Sequence, residues 1–152
     1  MRAVVHRVLK SELKIDGKIH SSIEKGLIVF FGVTDSDTME DAKVLADKIV
    51  KLRIFEDENG KMNLSLNDIG GSLHIISQFT LYADCHHGNR PSFILASRPE
   101  KAVPIYEFFI DKCKEQVANK VETGVFGADM KIDYINDGPI TILLEVKEGK
   151  VL

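Results

Sequence analysis

The sequence is poor in the residues that serve small proteins as covalent or metallic staples. Cysteine occurs only at Cys85 and Cys113, and neither belongs to a Cys-x-x-Cys pair. That usage gives no disulfide framework and fits reduced thiols in a reducing compartment. At 152 residues the chain needs no staple, because a domain of this size buries roughly two thirds of the surface its unfolded form exposes. Apolar runs are short, and none approaches the roughly 18 residues of a membrane span. The start, Met1-Arg2-Ala3-Val4-Val5-His6-Arg7, has no apolar h-region or cleavage site of small residues, so a cytoplasmic location is expected. A basic excess is also missing: the net charge is -3, which argues against coating nucleic acid by broad phosphate neutralisation but allows the gripping of one RNA end. Finally, there is no Gly-x-Ser-x-Gly elbow, Walker loop, dinucleotide-binding glycine fingerprint or His-Glu-x-x-His, so the common hydrolase and nucleotide signatures give no lead.

What remains is an ordinary balance of 44% apolar and 28% charged residues arranged in clear periods. Alternation over Ala3 to Leu9, then Leu13 and Ile15, predicts strands that end in an Asp16-Gly17 turn before Ile19, an early antiparallel pairing. Leu27 to Val33 is apolar on both faces and reads as a strand at the centre of the sheet. Asp37 and Glu40 make a capping-box signal before Ala42, Leu45, Ala46, Ile49 and Leu52, which predicts a helix from about Thr38 to Leu52. After turns at Glu58-Asn59-Gly60 and Gly70-Gly71, Leu73 to Phe79 reads as a second interior strand. Ser97-x-x-Glu100 opens a second helix with a face at Ile105, Phe109, Cys113 and Val117, with Pro104 in its first turn or at a kink. Met130 to Ile135 and Ile140 to Val146 read as two strands joined across Asn136-Asp137-Gly138-Pro139. The expectation is an α/β fold: a single layered domain over residues 1–152 with a mixed, mostly antiparallel sheet and two main helices.

Two segments carry chemistry. Gly138-Pro139 either closes a hairpin or, if cis, holds two main-chain carbonyls in one fixed direction, where they can take an ammonium and crowd one substituent on its α-carbon. Such a device reads handedness without reading the side chain. Ser77-Gln78-Phe79-Thr80-Leu81 sits at the end of its strand, where alternation turns Gln78 and Thr80 one way and Ser77 and Phe79 the other. It is either a satisfied polar ladder or a reactive wall. Thr80 as a nucleophile requires a base that the sequence does not name nearby, so unpaired N–H groups of Phe79 and Thr80 rank above the hydroxyl as stabilisers of an oxyanion in ester cleavage. Asp84-Cys85-His86-His87 lacks a second ligand pair at zinc spacing and reads as a pocket-bordering loop rather than a metal site. That loop leads to Arg90, a candidate for a phosphate contact or a surface salt link. In Gly124-Val125-Phe126-Gly127-Ala128-Asp129-Met130, the glycines let backbone approach a ligand, and Phe126 and Met130 serve either the core or an apolar wall for an adenine ring.

In these segments, and in Ala3 to Val8, Leu52-Arg53-Ile54-Phe55, Gly60 to Leu64 and Arg90-Pro91-Ser92-Phe93, the chain resembles the D-aminoacyl-tRNA deacylases of the bacterial and eukaryotic type over nearly its whole length. His6 stands where that family leads one to expect Gln, a departure expected to leave the site untouched. The resemblance implies hydrolysis of the ester of D-aminoacyl-tRNA, with rejection of L-aminoacyl esters and activity on glycine misattached to the alanine tRNA. It implies a homodimer, joined through sheet and Gly-Pro regions, in which Gly138-Pro139 of each subunit enters the other's pocket, held in place by Arg7. It further implies that Ser77, Gln78, Phe79 and Thr80 form the catalytic wall at the tRNA 3' end, with the adenosine 2'-OH assisting the attacking water. No cofactor, metal, membrane or DNA partner is expected; the charged tail that some relatives carry, associated with DNA binding, is not expected after Leu152. The rival readings are a non-catalytic nucleic-acid-binding module and a structural dimerisation domain.

Overall fold

The structure, a computed structural model describing residues 1–152, is built on one seven-stranded sheet. Its strands are β1 (Arg2–Ile15), β2 (Lys18–Ile23), β3 (Gly26–Gly32), β6 (Ser72–Ser77), β7 (Val121–Thr123), β8 (Lys131–Lys147) and β9 (Lys150–Val151); β4 (Phe55–Glu56) and β5 (Met62–Leu64) form a separate small hairpin. The order is β7-β6-β3-β1-β8-β9, with β2 pairing the far end of β1. Pairings within β1, β2, β3, β8 and β9 are antiparallel, while β3–β6 and β6–β7 are parallel. The mixed, mostly antiparallel α/β expectation is therefore met, and β3 lies inside the sheet as its two-sided apolar pattern requires. Asp16 and Gly17 both have positive φ, at 51° and 75°, the backbone needed for a tight turn between β1 and β2.

Two helices, α1 (Met39–Val50) and α2 (Pro99–Lys114), cover one face. Ala42, Leu45, Ala46 and Ile49 of α1 and Ile105, Phe109 and Cys113 of α2 pack onto Ala3, Val5, Leu27, Val29, Phe31, Leu73 and Ile75. No helix is long and apolar enough to cross a membrane. Both helix starts differ from the sequence expectation. The cap of α1 is Thr38 with Asp41 as the reciprocal partner, because the Asp37 carboxylate is engaged elsewhere, accepting from the Met1 ammonium at 2.6 Å and the Thr34 N–H at 2.8 Å. The cap of α2 is Arg98, without a side-chain hydrogen bond, and Ser97 lies outside the helix. Pro99 occupies the first turn, where its missing N–H is harmless, and Pro104 falls within the helix.

On the opposite face β1, β2 and their turn curl over the sheet, and a second small core of Val8, Leu13, Ile23, Ile28 and Ile76 forms beneath them. His74 is wholly buried there, its Nδ1 2.9 Å from Ser11 Oγ and its Nε2 2.8 Å from Ser21 Oγ. Burial, aided by the charge of nearby His20, pulls its pKa down to about 4. The rest of this face is open: Leu143 is 63% exposed, and its cross-strand partner Val4 sits near a cluster of His6, Phe30 and Tyr134 rings.

Candidate functional site

The chain departs from a strand at Ser77. The Gln78 N–H still donates to Phe31 O at 2.7 Å, but Phe79–Tyr82 then form a 3-10 turn, not a strand end, so the expected alternation of Ser77 to Thr80 does not hold. The turn's first internal bond is Leu81 N–H to Gln78 O. The amides of Phe79 and Thr80 precede it and have no carbonyl one turn back to receive them. The Thr80 hydroxyl accepts from Gln78 Nε2 at 2.5 Å, so its partner is an amide donor and not a base. This local bond fixes Gln78 and Thr80 against each other and leaves the two backbone N–H groups as the polar feature of the turn.

A cavity of about 300 Å³ opens beside it, lined by Ile76, Ser77, Gln78 and Phe79 on one side and Phe126, Ala128, Met130 and Ile132 on the other. The structure thus brings Ser77, Gln78, Phe79, Phe126 and Met130 to one place. Gly124 has a different reason from the one its sequence suggested: a Cβ there would stand 2.5 Å from Met130 Sδ, so the absent side chain makes room for Met130 and not for a ligand. A larger cavity of about 780 Å³ adjoins the first, and Phe79, Phe126 and Gly127 line both. Phe93, Ile94 and Arg98 also line it; Phe93 belongs to the Arg90-Pro91-Ser92-Phe93 segment named above, whereas Ile94 and Arg98 carry no expectation from the sequence. The one available signal was Phe93-Ile94-Leu95, an apolar run outside any regular element. Arg90, the candidate for a phosphate contact, lines neither cavity.

The second segment lies elsewhere. No turn joins two strands at Asn136–Pro139; β8 runs through it as one strand of 17 residues. His6 pairs with Thr141 and Val8 with Asn136, so the four residues Asp137–Ile140 bulge opposite Arg7 alone. Two side chains hold the bulge. Asn136 Oδ1 accepts the Ile140 N–H at 3.0 Å, while its Nδ2 donates to His6 Nδ1 at 2.8 Å. Arg7, 5% exposed, donates to Asp137 O at 3.2 Å and to Ile54 O at 2.9 Å, and pairs with the Asp137 carboxylate at 3.2 Å. His6 therefore touches the segment, contrary to expectation, and its partial burial lowers its pKa. Gly138 has φ +134°, a backbone that favours glycine, and the Gly138-Pro139 bond is cis. Both residues are exposed. Neither cavity at Phe79 is lined by Gly138, Pro139 or Arg7, so one chain holds the two segments apart.

At Asp84–His87, the Asp84 carboxylate accepts the His86 N–H at 2.9 Å and the two His rings meet edge to face at 4.5 Å. No three His, Cys, Asp or Glu side chains converge as metal ligands.

Comparison with known proteins adds a family. The profile described as D-Tyr-tRNA(Tyr) deacylase matches residues 4–145. The chain is 57% identical over 148 residues to a D-aminoacyl-tRNA deacylase of Clostridium botulinum (strain Loch Maree / Type A3), spanning 97% of this chain and 99% of that one. It is 53% identical to the protein of the same name from Clostridium acetobutylicum, with the same coverage. Among solved structures, one titled c-Myc DNA Unwinding Element Binding Protein superposes with a TM-score of 0.90 at 37% identity, covering 95% of this chain and 98% of its own. A probable eukaryotic D-amino acid tRNA deacylase gives 0.79 at 16% identity, covering 93% and 97%, a likeness of fold.

Proposed function

The chain belongs to the D-aminoacyl-tRNA deacylase family, and on that premise we propose that it cleaves the ester between a D-amino acid and the 3' end of tRNA, releasing both. The observation that carries the reaction is the pair of amides at Phe79 and Thr80, unclaimed by the turn they open and set beside a cavity walled by Phe126 and Met130. Water adds to the ester carbonyl carbon, the two N–H groups stabilise the oxyanion, and the adenosine 3'-oxygen leaves with a proton. The adenosine 2'-OH assists the attacking water. An aminoacyl ester is already reactive, so orientation and a few fixed dipoles suffice without a side-chain base or a cofactor. In this reading adenine rests against Phe126 and Met130, and Ser77 and Gln78 complete the wall.

Selectivity comes from Gly138-Pro139 of a second subunit in a homodimer with two composite sites. Three observations support this: the bulge is exposed, Arg7 and Asn136 secure it from within its own chain, and the sheet face carrying Leu143 is open. Main-chain carbonyls of the bulge face the α-carbon. An L side chain collides with them and a D side chain points away, which provides proofreading of chirality during translation in the cytoplasm. Glycine has no side chain to reject, so glycine misattached to the alanine tRNA is also hydrolysed.

The test is ester loss from matched D-tyrosyl-tRNA and L-tyrosyl-tRNA at trace protein, with chelator in a parallel sample. Rapid, chelator-resistant loss of the D ester alone is expected. Cleavage of neither ester, with tRNA bound, would instead make the chain a binding module.

A further inference from the structure

The 780 Å³ cavity takes no part in ester cleavage as described, yet it shares Phe79, Phe126 and Gly127 with the smaller one. Its polar and apolar groups are arranged in a particular way. Phe79 and Phe93 meet edge to face with centroids 5.1 Å apart, and Phe79 and Ile94 are 54% and 88% exposed, an apolar surface with nothing of this chain covering it. Arg98, Glu100 and Asp35 line the same cavity. Ser97, on the same wall, is buried, and its hydroxyl has no hydrogen-bond partner.

A substrate whose ester sits at Phe79 is the end of a single-stranded polynucleotide, so the nucleotide before the terminal adenosine must leave along one wall of the reaction cavity. Resting on the deacylase reading, we propose that the larger cavity binds this penultimate nucleotide, its base stacked on Phe93. Unstacked bases in single-stranded RNA are held on aromatic faces, and such stacking tolerates any base. With two carboxylates and one guanidinium in its lining, the cavity suits a base that presents an exocyclic amino group, as cytosine does to Asp or Glu; Arg98 is left for the connecting phosphate. Cytosine is the base at that position in tRNA.

The inference predicts that substrate recognition extends one nucleotide beyond adenosine. The experiment compares kcat/KM for the D-tyrosyl ester of adenosine with that of the dinucleotide CpA, on the wild type, Phe93→Ala and Phe93→Leu. The wild type is expected to prefer the dinucleotide by roughly 5- to 150-fold, the range of one base stack. Both variants are expected to lose most of that preference, and their cleavage of the adenosine ester certifies that they fold. Equal wild-type rates on the two esters, or an unchanged preference in both variants, overturn the inference and leave the deacylase reading intact. Preference that follows the size of the D side chain in place of the added nucleotide also overturns it, by assigning the cavity to the amino acid. Hydrolysis of neither ester by the wild type overturns the deacylase reading and this inference together.

Discussion

Acidification from pH 7 to pH 4 is expected to remove about 3 kcal/mol of folding stability through His74 alone. The ring is wholly buried beneath the curl of β1 and β2, between Ser11 and Ser21. Its neutral form satisfies both contacts, donating at one nitrogen and accepting at the other, while burial opposes the charged form and holds the pKa near 4 instead of the usual 6.5. Well above pH 6.5 the ring is neutral in the folded and unfolded chains alike, and its contribution is fully present. Between 6.5 and 4 the unfolded chain takes up a proton that the folded chain refuses, so stability falls by up to about 1.4 kcal/mol per pH unit. The assay is urea unfolding followed by far-ultraviolet circular dichroism, since the chain has no tryptophan, at fixed protein concentration from pH 7 to pH 4. His74→Gln is the reference: it keeps a donor and an acceptor but cannot ionise, and the rest of the chain is the same in both proteins. The difference between the two stability curves isolates His74. Parallel curves across this window would refute the argument.

Arg7→Met leaves Ile54 O and the Asp137 carboxylate without their partner and is expected to cost about 2–4 kcal/mol of stability. Thermal melts check this, and in the composite-site reading the D-to-L rate ratio falls as well. Gly138→Ala adds a Cβ 2.8 Å from Ile140 Cγ1 at a φ of +134°; the expected result is about a tenfold or greater loss of kcat/KM on D-tyrosyl-tRNA with an unchanged circular-dichroism spectrum, and full activity would remove the bulge from the site. Thr80→Ala keeps both backbone donors, so turnover is expected to stay within about tenfold of wild type. Loss of essentially all turnover with tRNA binding intact would make the hydroxyl the nucleophile.

Much of the fold could be read from the sequence wherever one period dominates. The two-sided apolar run of β3 and the helical repeat of α1 each permit one packing. Errors fell where distant groups decide the local structure. Asp37 has the sequence of a cap, but the amino terminus claims its carboxylate, so the cap moves one residue on to Thr38 and the helix begins at Met39. Asn136 to Pro139 is a turn signal by composition, yet β1 runs past it and Arg7 and Asn136 supply the hydrogen bonds that a bulge needs to remain within one strand. Phe79 fits an apolar strand pattern, but its ring faces the cavities and the backbone has already turned. Phe93 and Ile94, in a loop, and Arg98, at the cap of α2, line the larger cavity together, and loop residues have no period by which to be recognised.

The separation of the Phe79 turn from the Gly138 bulge within each chain has a genetic consequence on the composite-site reading. A lesion in either segment damages both sites of a pure mutant dimer, whereas a mixed dimer with one lesion in each chain joins two damaged halves into one site and two sound halves into the other. Two inactive alleles, expressed together and assorting at random, are therefore expected to restore roughly a quarter of the wild-type sites.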